Sequence, residues 1–114
     1  ANGFADYFAM LNARDGGIGG AKVVMEECET AYNAQKGVEC YEATKGKGAL
    51  VYNPYSTGIT LQLIPKAPVD EIPILSMGYG LSAAAKGETF PWTFTYPASY
   101  WSQMWLYLPR RWLR

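Results

Sequence analysis

The side chains able to do chemistry in this chain gather at two abrupt stops. The apolar run Ala49-Leu50-Val51-Tyr52 breaks into Asn53-Pro54-Tyr55-Ser56-Thr57-Gly58, and Ile72-Pro73-Ile74-Leu75-Ser76-Met77 breaks into Gly78-Tyr79-Gly80. Short apolar runs with such stops read as buried strands of a parallel sheet. Ligands of open α/β sheets bind beyond the carboxyl ends of the strands, so both stops fall where a small-molecule pocket is expected. On spacing alone Ser56 and Thr57 also suit the start of a helix, where a hydroxyl accepts from an unpaired backbone N–H.

Other reactive groups lead away from catalysis. The sequence has no histidine, which removes the commonest general base and metal ligand and every histidine-dependent triad. Glu26, Glu27 and Glu29 form a local carboxylate group, and a solvated strand end accounts for them without acid–base or metal chemistry. Cys28 and Cys40 are too few for a zinc site; they either form one disulfide or remain two buried thiols. As a nucleophile, Cys28 lacks a histidine or clear basic neighbour to lower its pKa. Asp15-Gly16-Gly17 follows a helical pattern and lacks the lysine of a phosphate loop, so it reads as a turn. The expectation is a non-enzymatic chain without metal or cofactor.

The elements that position the two stops alternate in type. Phe4, Tyr7, Phe8 and Leu11 recur at helical spacing through Asn12, and the run halts at Asp15-Gly16-Gly17-Ile18-Gly19-Gly20. Lys22 to Met25 reads as a strand, and Ala34 to Lys45 as a helix with Val38, Tyr41 and Cys40 inward and Gly46 and Gly48 at its end. A second strand starts at Ala49. The helix capped by Ser56 or Thr57 presents Ile59, Leu63, Ile64 and Ala67, and Pro65 shortens or bends it. Ile72 to Met77 is the third strand and Phe90 to Tyr96 a fourth extended piece. Tyr100, Trp101, Met104, Trp105 and Leu108 then mark an amphipathic helix stopped by Pro109. Strands alternating with helices predict an α/β fold with a parallel sheet.

The totals set limits. A length of 114 residues suits one domain, and an apolar content of 49% supplies a core. Ten basic residues against ten acidic ones give no field for nucleic acid or an anionic membrane. No apolar stretch approaches the roughly twenty residues of a membrane-spanning helix, and no signal-peptide pattern stands near Ala1.

Three segments, Leu11-Asn12-Ala13-Arg14-Asp15-Gly16-Gly17-Ile18, Asn53-Pro54-Tyr55-Ser56-Thr57-Gly58 and Pro73-Ile74-Leu75-Ser76-Met77-Gly78-Tyr79-Gly80, occur here in an order and at separations that carry a resemblance. Together they resemble the first lobe of the periplasmic substrate-binding proteins of branched-chain amino acid ABC importers. The resemblance implies a parallel sheet with helices on both faces: one lobe of a type I periplasmic-binding-protein-like fold, lacking its first strand. Residues 1–108 would be a partial N-terminal solute-binding lobe, and residues 109–114, with Arg110, Arg111 and Trp112, an atypical basic and aromatic tail. It further implies Ser56, Thr57, Gly78, Tyr79 and Gly80 as ligand-binding residues for a branched-chain amino acid or similar solute, with an amide, a urea-like solute or an aromatic acid as alternatives. An ABC permease would be the partner and the periplasm the location. Several members carry alanine and threonine where Gly78, Tyr79 and Gly80 stand, so the solute need not be leucine or isoleucine. The resemblance also implies a hinge near Thr95-Tyr96-Pro97 to a second lobe. It leaves a slot between the strands at Lys22 and Ala49, closed by their direct pairing, by a partner chain or by strand exchange. A non-binding fragment that self-associates through sheet edges and tryptophans is the alternative.

Overall fold

The computed structural model describes residues 2–96 and 98–107. Helix α1 (Asn2–Asp15) opens the described chain and ends where Gly16 and Gly17 take φ of 72° and 99°. A Cβ at Gly17 would stand 1.9 Å from the Ala21 carbonyl oxygen, so only glycine lets the chain fold back and pair Ile18 with Ala21.

The strand expected at Lys22 to Met25 is not formed: residues 22–30 have no regular structure. A strand exists through its neighbours. Here only Val23 finds one, among the described residues, and it is a side chain: Asn12 Oδ1 accepts from the Val23 N–H and Asn12 Nδ2 donates to the Val23 carbonyl, both at 2.8 Å. Further along, a disulfide between Cys28 and Cys40, Cα atoms 5.8 Å apart, fastens this irregular stretch to helix α2.

Helix α2 (Ala34–Lys45) has the bounds its sequence predicts. Asn33 caps it by accepting from the Lys36 N–H at 3.0 Å, and Gly46 closes it. Helix α3 (Thr57–Leu63) is capped by Ser56, and Pro65 shortens it as expected, leaving the one-turn helix α4 (Ala67–Asp70) beyond. Helices α2 and α3 cross where Gly37 meets Ile59; a Cβ on Gly37 would lie 2.6 Å from Ile59 Cγ2.

Strand β1 (Ile74–Ser76) pairs in parallel with strand β2 (Thr93–Thr95), Ile74 beside Thr93 and Ser76 beside Thr95. On the other side of β1, the Tyr52 N–H donates to the Pro73 carbonyl and the Leu75 N–H to the Tyr52 carbonyl, each at 2.9 Å. The strand expected from Ala49 is therefore reduced to a single bridge, Tyr52 to Ile74. Leu50 is 85% exposed, since among the described residues no further strand lies outside it. Lys22 to Met25 does not pair with it, so the direct closure anticipated between those segments is not made. The outcome is a mixed α/β fold around a small parallel sheet.

Tyr41, Ile59, Leu63, Ala67 and Ile74 form the core, with Val38, Tyr52 and Trp92 packed on it. The Tyr41 ring meets Tyr52 edge-on at 5.0 Å, and its hydroxyl donates to Asp70 Oδ2 at 3.0 Å. Lys45 Nζ donates to both Asp70 oxygens, at 3.0 and 3.1 Å, joining the end of α2 to α4. After β1, a 3-10 turn (Ser82–Ala85) leads toward β2, and helix α5 (Tyr100–Tyr107) follows with its aromatic residues exposed. Leu108 and the tail 109–114 lie outside the described residues, as does Pro97 of the expected hinge.

Candidate functional site

Ser56 is the residue on which the candidate site is built, through its backbone as much as its side chain. It is buried, its Oγ accepts from the Ile59 N–H at 3.4 Å, and its carbonyl accepts from the Thr60 N–H at 2.9 Å and from Thr60 Oγ1 at 2.8 Å. A carbonyl can only accept, so the single hydroxyl proton of Thr60 is committed to that bond. The 2.6 Å contact between Thr60 Oγ1 and Ser76 Oγ must then be donated by Ser76. Ser76 in turn accepts from the Gly78 N–H at 2.8 Å. A continuous relay results: Gly78 N–H to Ser76 hydroxyl to Thr60 hydroxyl to Ser56 carbonyl.

Every member of that relay is buried. Hydrogen bonds running in one direction polarise one another, and away from water each is expensive to break. The relay holds the end of β1 against the start of α3. Sequence reasoning missed Thr60 and Ser76 as positioning residues; the available signal was a hydroxyl standing in each of two otherwise apolar runs, Ile59-Thr60-Leu61 and Leu75-Ser76-Met77.

The relay brings Thr57 against the glycine turn. A Cβ on Gly78 would lie 2.9 Å from Thr57 Cα and 3.0 Å from Thr57 Oγ1, and one on Gly80 would lie 3.4 Å from Thr57 Oγ1. Glycine at 78 is thus required by the approach of α3 to β1, whereas Gly80 is exposed. Among the hydrogen bonds of the described residues, none uses the Thr57 hydroxyl, which is half-buried beside the turn. Of the five sequence candidates, Thr57, Tyr79 and Gly80 keep surface beside the turn, while Ser56 and Gly78 are buried. One donor at the start of α3, the Ile59 N–H, is taken by Ser56, and the Thr57 hydroxyl stands beside it.

Aromatic rings stand beside the turn. Tyr79 lies 6.5 Å from Tyr96 and 6.1 Å from Tyr100, both tilted, and the Tyr100 N–H donates to the Tyr79 carbonyl at 3.0 Å. Tyr55 meets Phe4 of α1 edge-on at 6.2 Å. Burial raises the Tyr55 pKa, as do the nearby Glu27 carboxylate and Tyr96, so its hydroxyl keeps its proton at neutral pH. The carboxylates near Cys28 have separate structural partners: Glu26 pairs with Lys47, and Glu29 Oε1 accepts from the Ala31 N–H at 2.6 Å. No cluster able to hold a metal ion occurs among the described residues. A shallow groove of about 390 Å³ along Ala84, Phe90 and Phe94 shares no residue with this bay.

A model of the family described as "Periplasmic binding protein" matches residues 1–108. The chain belongs to that family. A solved structure described as an ABC transporter permease from the Pseudomonas fluorescens group is 41% identical, with a TM-score of 0.73 over 81% of this chain. The chain spans 24% of that structure, about a quarter of its length. Among curated proteins none matches. The alignment with the periplasmic binding protein family takes in both strand ends and the whole tyrosine-lined bay.

Proposed function

We propose that this chain carries one face of a solute-binding site in an ABC importer, and that Thr57, Tyr79 and Gly80 are its contacts. The observation that carries the reading is the free Thr57 hydroxyl held against Gly78 and Gly80 at the carboxyl end of a parallel sheet. Such strand ends are the usual ligand position in open α/β folds. Family membership supports a role in solute capture and a permease as partner. A disulfide between Cys28 and Cys40 agrees with an oxidising compartment such as the periplasm.

The mechanism proposed is recognition without chemistry. Ser56, Thr60 and Ser76 fix the bay before any solute arrives, so little ordering cost falls on binding. In a complete two-lobed protein, contacts from both lobes would favour the closed form, and the solute would shift the population toward it. The solute would be a branched-chain amino acid or a related small amide or acid.

Calorimetry with a panel of amino acids, amides and small acids tests this. Binding that weakens about tenfold in Thr57→Val, as loss of one hydrogen bond to a polar ligand group predicts, supports it. Heat from no solute refutes it. The second reading, a self-associating module that binds no solute, is favoured by the exposed edge at Leu50 and Val51 and by exposed Trp101 and Trp105; it predicts concentration-dependent sedimentation with no solute binding.

A further inference from the structure

The irregular stretch before α2 is fastened to that helix by a covalent tie that is open to solvent at one end. Cys28 is exposed and Cys40 is buried, 12 positions apart in sequence, and a shallow groove of about 330 Å³ is lined by both together with Glu29, Lys36 and Glu39. Two other ties to the body lie upstream of Cys28. They are the Asn12 bonds to Val23 and a solvent-exposed ion pair between Glu26 and Lys47, a kind of contact that contributes little.

The loop closed by the disulfide holds two residues in a conformation that L-amino acids avoid. Ala31 and Tyr32 take φ of 49° and 60°, consecutive left-handed positions with a Cβ at each. Burial does not offset this, since Ala31 is exposed and Tyr32 is 74% exposed. Glu29 Oε1 accepts from the Ala31 N–H at 2.6 Å, and the Asn33 N–H donates to the Thr30 carbonyl at 2.9 Å; at so exposed a place water offers the same groups comparable bonds. Left-handed residues other than glycine persist where the surrounding structure imposes them. Here the constraint is the short path from Cys28, whose Cα is held 5.8 Å from that of Cys40, to the capped start of α2 at Asn33. Opening the disulfide removes it.

We infer that the Cys28–Cys40 disulfide is a thiol-exchange site, attacked by a small uncharged thiol at the Cys28 sulfur, and that release of the left-handed pair Ala31-Tyr32 favours its opening. The thiolate of the reductant bonds to Cys28 Sγ, the bond between the two cysteine sulfurs breaks, and its electron pair leaves on Cys40 Sγ. A second small thiolate attacks the mixed disulfide at the reductant's sulfur and displaces Cys28. The products are two protein thiols and the disulfide of the small thiol, so two electrons and two protons pass to the protein. Lys36, one turn before Cys40 on α2, lines the same groove and offsets the charge departing on Cys40, while Glu29 and Glu39 there disfavour an anionic thiol. Opening frees residues 24–32 from α2 and leaves the core of Tyr41, Ile59, Leu63 and Ile74 in place.

The test is equilibration of the chain, without denaturant, with 2-mercaptoethanol and its disulfide, followed by acid quenching and peptide mass mapping. The mixed disulfide is expected on Cys28, with amide exchange faster across residues 24–32 and protection kept at Tyr41 and Ile74. Ala31→Gly and Tyr32→Gly together should move the equilibrium about fivefold toward the disulfide, because relief of two left-handed residues outweighs the freedom glycine adds to the opened loop. Thr30→Gly, at a position without positive φ, adds that freedom with no relief and should not move it in this direction. A mixed disulfide on Cys40 overturns the choice of attacked sulfur. A double glycine variant that equilibrates like the wild type overturns the role of the left-handed pair. Reduction that proceeds only in urea, or that unfolds the core, overturns the exchange site itself.

Discussion

Gly37→Ala sets two effects against each other, and the structure decides between them. Gly37 lies inside α2, where alanine gains up to about 1 kcal/mol over glycine in helix propensity. The added Cβ, however, would stand 2.6, 2.7 and 2.8 Å from Cγ2, Cγ1 and Cδ1 of Ile59, well inside normal contact. Ile59 is 3% exposed in the core and branched at Cβ, so it has no free rotamer to retreat into. Overpacking of this kind costs about 1–3 kcal/mol, which exceeds the propensity gain. Gly37→Ala should therefore lower stability by about 1–2 kcal/mol, a fall of roughly 4 °C in Tm per kcal/mol at this size.

The same atoms predict a change of sign in a second background. Ile59→Ala alone costs about 2–5 kcal/mol as a cavity, but it removes all three atoms that clash with the new methyl. In that background Gly37→Ala should stabilise the protein by up to about 1 kcal/mol, from propensity and partial filling of the cavity. Urea unfolding of the wild type, both single variants and the double variant measures the coupling. A Gly37→Ala protein more stable than wild type, or one whose cost is unchanged in Ile59→Ala, would refute the crossing-point argument.

Thr60→Val keeps shape but cuts the relay, leaving the Ser76 hydroxyl and the Ser56 carbonyl short of a partner; thermal melting should show a loss of about 1–3 kcal/mol. Ser76→Ala should cost a similar amount by orphaning the Gly78 N–H. The Tyr41 pKa is pushed up to about 12 by burial first and by its hydrogen bond to Asp70 next. A folded pKa above the unfolded value of about 10 means stability is fully present below pH 10 and lost as pH rises through about 12, by about 3 kcal/mol. Tyr41→Phe should remove that share of the slope in alkaline urea titrations, leaving the part from Tyr52 and Tyr55, whose pKa values burial also raises.

What could be read from the sequence divides along a physical line. Local signals were sufficient for α2, whose Asn33 cap and Gly46 stop mark its ends, and for the shortening of α3 by Pro65. Ile74 to Ser76 was legible because a buried parallel strand is apolar on both faces. Lys22 to Met25 and Ala49 to Tyr52 are likewise mostly apolar, yet a strand is completed only by its neighbours, and composition does not reveal whether those are present. The pairing of Val23 by the Asn12 side chain and the lone bridge at Tyr52 are what such sequences do without them. Thr57 and the glycine turn were legible as strand ends; the relay was not, because its partners are 16 residues apart and joined through one hydroxyl pair.

That difference bears on which part of the bay depends on the rest of the fold. Residues 22–30 lie outside regular structure, whereas the Thr60–Ser76 and Ser76–Gly78 bonds that hold the start of α3 against the end of β1 are buried. Thr57 and the turn after β1 therefore belong to the same unit as the Tyr41, Ile59, Leu63 and Ile74 core, since α3 supplies Ile59 and Leu63 to it and β1 supplies Ile74. Stability of that core and geometry of the bay are coupled. A cavity at Ile59 should loosen the start of α3 and with it the Thr57 hydroxyl, while a change at Leu50 or Val51 on the exposed edge should leave the bay unaltered.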